Sequence, residues 1–534
     1  MSSLQETHFR AAARENENDR SKMYKNAGKA EDNRRRRTEC SVEIRKQKRG
    51  DATMKRRNLL IDDADTGDES QSESVEQKAN LSLMEVFEAL TNNPDLPKLQ
   101  IAFESLRRQL SKDKNPPIEE VIRLNLVEAM VRGLSVQDSK VQFECAWALT
   151  NVVSGTTEQT MHAVEKGCIP PLLQLSASND MKLSEQAVWA LANITGEGPQ
   201  FRDAVLKERG LEAIFHLTDN ITHLKLEFVR TLAWWYSNLC RHKKNRPNVE
   251  ILRQIASGIT VLMNYDDEEV QRDCCWALTY LTDGPDEVLM AAYQVGVVEQ
   301  VIKFLGTVIA KKQTQCIVPA VRVLGNFTSG DDKLTQVIVD SGVLQTHIRE
   351  LMTSRASSVL KEVTWLLSNI FAGTGKQIQA ALDANLLPLV LKVFAVGDAK
   401  SQDEAHWAIF NLAQGGGPEQ ILQLLKNDGL ADIHEGLQHF SKVESLKNML
   451  DAILQVLSCV ANMHHDQLQS VLDKFEESSL LEFIENCQQH ENEEVYNLAY
   501  KIIDEFFSND DDDFYDGDDK ENDVTATPAG GFHF

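Results

Sequence analysis

The feature that most constrains this chain is a pattern, Trp-x-x-x-Asn, whose successive positions lie 42, 45, 42, 46, 43 and 42 residues apart. Five copies are complete: Trp147/Asn151, Trp189/Asn193, Trp234/Asn238, Trp365/Asn369 and Trp407/Asn411. Partial copies at Trp276/Tyr280 and Arg322/Asn326 fill the gap between the third and fourth. A unit of this length cannot bury its apolar faces alone, so the period predicts a solenoid of stacked units.

Each unit also carries a Gly, or once an Asn, before an apolar run: Gly167, Gly210, Gly258, Gly296, Gly342, Asn385 and Gly429. Both residue types tolerate the left-handed backbone that follows a helix end, so each position predicts a corner between helices. Between the corners the apolar residues recur at helical spacing, as at Val188, Leu191 and Ala192. The prediction is an all-α, right-handed solenoid of about ten armadillo-type repeats over residues 81–508, with 81–125 and 470–508 as caps.

Charge divides the chain into regions. The whole sequence has 56 Lys and Arg against 81 Asp and Glu, yet residues 1–58 have 17 against nine. We therefore separate a basic arm (1–58), an acidic linker (59–80), the solenoid (81–508) and an acidic tail (509–534), the linker and tail being expected to be disordered. The net charge of -25 argues against bulk binding to nucleic acid or to anionic membranes.

Several function classes are excluded by what the sequence lacks. Nine Cys without a CxxC pair, and a start without a secretion pattern, predict reduced intracellular thiols. The adjacent pairs Cys274–Cys275 and His464–His465 could suggest a metal site. Neighbouring side chains on a helix point about 100° apart, however, so we expect no metal site and no cofactor. No apolar stretch is long enough to cross a membrane. No GxxxxGK[ST], GxSxG or HExxH motif suggests an enzyme.

The chemistry of the repeated pair points to a bound peptide. Positions i and i+4 share a helix face, so each copy places an indole beside a carboxamide. A core has no reason to repeat a buried Asn in unit after unit, and we therefore expect the pairs to form a ladder along an exposed inner groove. An Asn amide matches the N–H and C=O groups of an extended backbone. The alternative for any single copy is a Trp in the core beside a neutral Asn.

The side chains that such a peptide would carry are expected to be basic. Slots between parallel Trp rings accept a Lys or Arg stem, with a cation–π contribution of roughly 0.5 to 2 kcal/mol. Acidic residues flank the ladder and are candidates to meet the cation: Glu185, Glu197, Glu269, Asp273, Asp283, Asp332 and Glu404. The arm supplies a ligand of this kind in Lys55, Arg56 and Arg57, which could fold back and occlude the groove. An arm that binds nucleic acid is the alternative.

Taken together, the chain resembles importin-α, the armadillo-repeat adaptor of nuclear import. The motifs that carry the resemblance are 34–49 (RRRRTECSVEIRKQKR), 54–58 (MKRRN), 143–151 (FECAWALTN), 185–193 (EQAVWALAN) and 275–284 (CWALTYLTDG). The resemblance covers nearly the whole chain. It implies a protein that shuttles between cytoplasm and nucleus and has three kinds of partner: cargo proteins with basic nuclear localisation signals, importin-β, and an export factor that recycles the adaptor.

The resemblance also implies the site residues. Signals would bind antiparallel in a major site of Trp147, Asn151, Gly155, Thr160, Gln186, Trp189, Asn193, Glu197, Trp234, Asn238, Asp273 and Trp276. A minor site would use Arg322, Asn326, Trp365, Asn369, Glu404, Trp407 and Asn411. Importin-β would take Arg34, Arg35, Arg36, Arg37, Arg45, Lys46, Lys48 and Arg49, and would pull Lys55, Arg56 and Arg57 out of the major site.

Four positions depart from the family pattern. Glu197 stands where the family usually has Asp, Trp235 and Tyr236 replace smaller residues, and Phe410 precedes Asn411 where a small residue is usual. The first departure puts the contact with a signal lysine in question, and the others are compatible with repacking between helices. An armadillo scaffold of the adhesion or signalling type remains the alternative function, although it predicts neither the basic arm nor a regular ladder.

Overall fold

A computed structural model describes residues 55–58, 81–426, 428–439 and 442–508, and within these ranges it contains helices and no β-strand. The predicted importin-β-binding segment 34–49, the linker 59–80 and the tail 509–534 lie outside the described residues. The first helices are α1 (Leu83–Thr91), α2 (Leu96–Leu110), α3 (Ile118–Arg123), α4 (Leu126–Gly133), α5 (Ser139–Val153), α6 (Thr157–Glu165), α7 (Ile169–Ser176), α8 (Met181–Glu197), α9 (Pro199–Lys207) and α10 (Gly210–Asp219).

The helices of the middle and the end follow the same succession. They are α11 (Leu226–Cys240), α12 (Val249–Leu262), α13 (Glu268–Thr282), α14 (Asp286–Gln294), α15 (Val297–Ala310), α16 (Thr314–Thr328), α17 (Asp332–Asp340), α18 (Arg349–Leu351), α19 (Ser357–Ile370), α20 (Gly375–Asp383), α21 (Leu387–Val396), α22 (Ala399–Gly415), α23 (Pro418–Ile421), α24 (Gly429–Leu437), α25 (Val443–Met463), α26 (Leu468–Glu477), α27 (Leu480–Cys487) and α28 (Glu493–Phe506). Short 3-10 segments occur at Ile221–His223, Leu422–Leu425 and His465–Gln467, and a π-helical segment at Leu344–Ile348.

Ten of these helices pack side by side in chain order: α2, α5, α8, α11, α13, α16, α19, α22, α25 and α28. We call this set the inner row. The helix before an inner-row helix packs against it, as α21 does on α22, and on its counterpart in the next repeat, as α21 does on α24. Each repeat therefore buries its apolar faces on its neighbours. The all-α armadillo-repeat solenoid of about ten repeats, predicted from the period, is confirmed.

Side-chain caps start many inner-row helices at the same place in the repeat. Asp138, Asp180, Asp267 and Asp398 stand immediately before α5, α8, α13 and α22, and each side chain accepts a backbone N–H of the first turn. Such a cap satisfies a donor that the helix itself leaves free, and its loss typically costs about 1 kcal/mol. Each of the four Asp caps stands nine residues before the Trp of its helix, so capping helps to place the ladder residues of α5, α8, α13 and α22 at the same height along their helices.

The predicted Gly corners agree with the structure at four positions. Gly167, Gly296, Gly342 and Asn385 have positive φ values of 80°, 81°, 72° and 53°. At Gly210 the left-handed residue is Arg209, and Gly429 begins α24 after an Asp428 with negative φ. These two glycines therefore begin helices and do not form the corner themselves.

The prediction for Gly258 is wrong, because this residue lies inside α12. A glycine stands here because a side chain would collide with a neighbouring helix. A Cβ built on Gly258 would lie 2.2 Å from the Tyr236 hydroxyl oxygen, and that hydroxyl is 2.9 Å from Thr218 Oγ1 in the buried space between helices. Trp235 is buried beside it and donates to Thr195 Oγ1 at 3.0 Å. The two aromatic departures from the family pattern thus pack between repeats.

Gly258→Ala should lower the free energy of unfolding by about 1 to 2 kcal/mol, because the added methyl overlaps the Tyr236 ring in a closely packed core. Urea unfolding of the full-length chain measures this difference. The matched control is Gly167→Ala, whose added Cβ would have no neighbour within 4 Å and which would be penalised through its positive φ alone. Restoration of stability in the double variant Gly258→Ala, Tyr236→Phe would identify the hydroxyl as the source, and an unchanged Gly258→Ala midpoint would contradict the packing argument.

Among the described residues no single helix has the length and apolarity of a membrane span. Two bent helix pairs, α14 with α15 and α20 with α21, have the length and the apolar composition of a span when each pair is taken together. The same part of the chain contains no group of three or more His, Cys, Asp or Glu able to hold a metal ion.

Candidate functional site

The ladder asparagines join neighbouring inner-row helices. Four of the six donate from Nδ2 to a backbone carbonyl one repeat earlier: Asn193 to Thr150 at 3.2 Å, Asn238 to Ala192 at 2.9 Å, Asn326 to Thr279 at 3.2 Å and Asn411 to Ser368 at 2.7 Å. All four of these amides are buried, Asn193 with the segment Lys55–Asn58 seated over it. A buried amide needs partners, and the neighbouring repeat provides one of them.

The ladder indoles differ from one another in exposure. Trp147, Trp189, Trp276 and Trp407 are partly exposed, whereas Trp234 and Trp365 have relative exposures of 2% and 1%. The prediction of a ring open to solvent is therefore wrong for Trp365. Its ring packs against Gly325 and lies 4.2 Å from the Arg322 guanidinium, which in turn pairs with Glu362 at 2.5 Å.

A second arginine of the solenoid covers the first ladder Trp in the same way. The Arg107 guanidinium lies 4.5 Å from the Trp147 ring and pairs with Glu144 at 2.6 Å. In both cases the glutamate precedes the Trp by three residues and faces it on the helix. One face of Trp147 and one face of Trp365 are thus covered by a cation that belongs to the solenoid.

Residues Lys55–Asn58 lie across the ladder, and the surface of α5, α8, α11 and α13 that they contact is called the groove below. The backbone of Arg56 is held at both polar groups by Asn193. The Arg56 N–H donates to Asn193 Oδ1 at 2.8 Å, and the Arg56 carbonyl accepts from Asn193 Nδ2 at 3.0 Å. Trp189 Nε1 donates to the same carbonyl at 2.9 Å.

One repeat earlier the arrangement recurs at Asn58. Its N–H donates to Asn151 Oδ1, and its carbonyl accepts from Asn151 Nδ2 and from Trp147 Nε1, all at 2.9 Å. Its side-chain amide donates to Gln186 Oε1 at 2.8 Å. Each of these two Trp-x-x-x-Asn pairs therefore binds the N–H and the C=O of one residue, and its indole N–H and amide N–H converge on that carbonyl.

These contacts define the direction and the register of the segment. Arg56 meets the repeat of Asn193 and Asn58 meets the earlier repeat of Asn151, so the segment runs antiparallel to the order of the repeats. Successive residues of an extended chain face opposite sides, so Arg56 and Asn58 present their backbone groups to the same side. The groove therefore holds the backbone at every second residue.

Lys55 enters a pocket with three acceptors. Its Nζ donates to the Gly155 carbonyl at 2.7 Å and to Thr160 Oγ1 at 3.0 Å, and it pairs with the Glu197 carboxylate. Burial lowers the pKa of the Lys55 ammonium, while the hydrogen bond and the charge of Glu197 act in the opposite direction. The pocket thus removes an ammonium from water but supplies a partner for each of its three N–H groups.

Arg56 occupies the slot predicted for a basic side chain. Its guanidinium carbon lies 4.6 Å from the Trp234 ring centroid, and one of its nitrogens is 3.6 Å from Asp273 Oδ2. A partly desolvated cation–π contact of this kind contributes about 1 kcal/mol. Trp276, in the next repeat, is tilted against Tyr280 with ring centroids 6.1 Å apart.

Arg57 reaches a set of acceptors that sequence reasoning missed. Its guanidinium donates to the backbone carbonyls of Leu110, Lys112 and Asp113 at 3.1, 2.6 and 3.0 Å. These carbonyls lie at and just beyond the end of α2, where helix carbonyls have no intrahelical partner. The only sequence signal is the helix end itself, because backbone acceptors leave no trace in side-chain patterns.

The seven predicted flanking carboxylates divide into three groups. Glu197 and Asp273 face the Lys55–Asn58 segment. Asp283 pairs with Lys243, and Glu269 lies 3.4 Å from Arg230, so both have cationic neighbours within the solenoid. Three further candidates lie elsewhere: Glu185 in α8, Asp332 at the start of α17 and Glu404 in α22.

The residues of the predicted minor site lie on three consecutive inner-row helices. They are Arg322 and Asn326 in α16, Trp365 and Asn369 in α19, and Glu404, Trp407 and Asn411 in α22. Trp365 Nε1, Asn369 Nδ2 and Asn369 Oδ1 are buried and have no hydrogen-bond partner among the residues that the structure describes. The Trp407 ring contacts the rings of His406 and Phe410, with centroid distances of 5.0 and 5.8 Å.

Comparisons with known families agree with this geometry. The model described as "Importin beta binding domain" matches residues 20–103, "Armadillo/beta-catenin-like repeat" matches 114–154 and 156–196, and "Atypical Arm repeat" matches 469–524. A solved structure of an engineered protein superposes with a TM-score of 0.65 at 26% identity, and covers 79% of this chain and 98% of its own. The first match begins in the basic arm and runs through the linker into α2, the two repeat matches lie in the solenoid, and the last runs from the end of the solenoid into the acidic tail.

Full-length relatives cover both parts at once. "Importin subunit alpha-2" of Caenorhabditis elegans is 43% identical over 503 residues, which are 93% of each chain. "Importin subunit alpha-1b" of Oryza sativa subsp. japonica is 33% identical over 87% of each chain. With its basic arm and its ladder of Trp and Asn, the chain belongs to the importin-α family, the armadillo-repeat adaptors of nuclear import.

Proposed function

We propose that this adaptor holds the basic nuclear localisation signal of a cargo protein in the groove that Lys55–Asn58 occupies here. The observation that carries the proposal is the backbone grip of Asn193 and Asn151 on every second residue, combined with the three-acceptor pocket around Lys55. Backbone contacts accept any extended sequence, and the pocket then selects one with a lysine at the right register. The major site comprises the twelve residues predicted above, from Trp147 to Trp276.

A second cluster of basic residues would bind at the minor site on α16, α19 and α22. At the major site, Trp147 Nε1 and Asn151 Nδ2 converge on one peptide carbonyl. The equivalent atoms of Trp365 and Asn369 are buried without a partner in the described part of the chain, and an unpaired buried donor is costly. A peptide carbonyl would satisfy both of them.

The arm would act as a competitor of the cargo and as the link to importin-β. Lys55–Asn58 make the contacts that we assign to a signal, so cargo and arm exclude each other from the groove. Importin-β, by engaging the segment from Arg34 to Arg49, would withdraw Lys55, Arg56 and Arg57 and open the site. Recycling by an export factor and movement between cytoplasm and nucleus complete the cycle proposed for this family member.

The test of the two-site proposal uses an open variant, which is the full-length chain with Lys55, Arg56 and Arg57 replaced by Ala. In this background Asn369→Ala should weaken a signal peptide with two basic clusters by roughly 5- to 20-fold, because one cluster loses its backbone contact. Fluorescence anisotropy with labelled peptides measures the affinities.

A peptide with a single cluster provides the control, and its affinity should change less than about twofold if it uses the major site. Equal loss for the two peptides would contradict the assignment of Asn369 to a separate site. An unchanged affinity for both peptides would contradict the proposal of a minor site. The family matches favour the adaptor over an adhesion or signalling scaffold, and they place the chain among transport adaptors, which are not enzymes.

A further inference from the structure

The Glu197 carboxylate has two partners on opposite oxygens. Its Oε2 pairs with Lys55 Nζ, and its Oε1 accepts a hydrogen bond from the Thr157 hydroxyl. Thr157 begins α6 and Glu197 ends α8, so the contact joins the first and the third helix of one repeat beside the lysine pocket. The remaining acceptors of the pocket, Gly155 and Thr160, lie on the same side of the pocket as Thr157, just before and within α6.

The Glu197 carboxylate lies at an unfavourable end of its own helix and is stabilised by a hydrogen-bond donor from another helix. Glu197 is the last residue of α8, where the helix dipole disfavours a negative charge. Thr157 is the first residue of the nine-residue α6, at the end that favours one. The hydroxyl of Thr157 therefore draws the carboxylate away from the carbonyl end of α8 and toward the amide end of α6.

A Glu side chain has three rotatable bonds, and a carboxylate that is free to rotate contributes less to a fixed ionic contact. The hydrogen bond from Thr157 fixes one oxygen and leaves the other directed at the ammonium. With the Gly155 carbonyl and Thr160 Oγ1, the pocket then presents three acceptors to three N–H groups of one nitrogen. A planar guanidinium, whose donors diverge, does not match this arrangement.

We propose that Thr157 is a positioning residue that sets the preference of the groove for lysine over arginine at this register. The inference rests on the proposed function, since it assumes that signals bind as Lys55–Asn58 do. Thr157 does not contact the bound lysine in this structure; it acts through Glu197. Its removal should therefore change selectivity more than affinity in general.

The experiment compares two labelled signal peptides in the open variant, one with lysine and one with arginine at the position that enters the pocket. Thr157→Val, which removes the hydroxyl and keeps the shape, should weaken the lysine peptide about three- to tenfold and the arginine peptide less than about twofold. Thr157→Ser, which keeps the hydroxyl, should restore the preference for lysine. Thr353→Val is the matched control, because the Thr353 hydroxyl is exposed and bonds only to the Glu350 carbonyl of its own helix end.

Two further variants separate failure of this inference from failure of the groove assignment. If Glu197→Gln weakens the lysine peptide while Thr157→Val does not, the positioning role is overturned and the groove stands. If Thr157→Val weakens both peptides equally, its role is structural and the inference is also overturned. If Glu197→Gln and Asn193→Ala both leave the affinity for the lysine peptide unchanged, the groove assignment is wrong, and this inference is wrong with it.

Discussion

Replacing Lys55, Arg56 and Arg57 by Ala in the full-length chain should tighten the binding of a lysine-rich signal peptide by roughly 10- to 100-fold. A segment tethered close to its own site has an effective concentration of about 1 mM, and we take an intrinsic dissociation constant of about 10 to 100 μM for so short a peptide. The tethered segment then occupies the groove in all but a small fraction of molecules. Anisotropy titrations of the two chains with one peptide measure the difference.

The control for this prediction removes the same charge from another part of the arm. Arg10, Arg14 and Arg20 lie outside the two basic clusters, and their replacement by Ala lowers the charge of the arm equally. Because the groove contacts involve Lys55–Asn58, this control should leave the peptide affinity within about twofold of the parent chain. Equal tightening by both triple variants would show that net charge is responsible and that the seated segment is not.

Asn193→Ala in the open variant should weaken a signal peptide by about 2 to 3 kcal/mol, a factor of roughly 30 to 150. The amide of Asn193 makes one hydrogen bond to the N–H and one to the carbonyl of Arg56. Its removal leaves both peptide groups without these partners, and it also removes the bond to the Thr150 carbonyl between repeats. Anisotropy measures the affinity, and thermal unfolding reports any loss of stability.

Two observations would distinguish a backbone contact from a general weakening. The loss should be similar for signal peptides of different sequence and should hardly depend on salt, whereas the loss caused by Glu197→Gln should shrink as salt rises. Asn462→Ala is the matched control, because this exposed amide bonds only to the Ser458 carbonyl one turn earlier in α25. A change below twofold for Asn193→Ala would contradict the groove assignment.

Two arginines of the solenoid reduce the ring surface that the ladder offers to a bound peptide, and the motif alone does not reveal both of them. Arg107 covers one face of Trp147, and Arg322 covers one face of Trp365. Arg322 was visible in the sequence because it takes the place of a ladder Trp. Arg107 was not, because it lies 40 residues before Trp147 and outside any copy of the pattern.

Much of the groove could be predicted because its chemistry repeats with the fold. A side chain that recurs every 42 to 46 residues must occupy the same place in each repeat, so the row of Trp and Asn followed from spacing alone. The lysine pocket of Gly155, Thr160 and Glu197 was implied by the resemblance to a known family. The structure brings these three residues together around Lys55.

What the residues could not indicate is how each group is partnered. The burial of Trp365, the place of Gly258 inside α12 and the carbonyls that receive Arg57 all depend on how one repeat sits on the next. The Thr157–Glu197 bond likewise joins helices that are 40 residues apart in sequence. Such contacts require angles and distances between helices, and a one-dimensional period does not contain them.

The sequence by itself determined the period, the helical class, the number of repeats and the residue types that line the groove, because these depend on spacing and on which side chains can share a helix face. The tertiary structure decided which indoles stay accessible, which carbonyls remain open at helix ends, and which hydroxyl holds the Glu197 carboxylate. The physical reason is that burial and hydrogen bonding are properties of packed neighbours, and neighbours across repeats are set by three-dimensional packing.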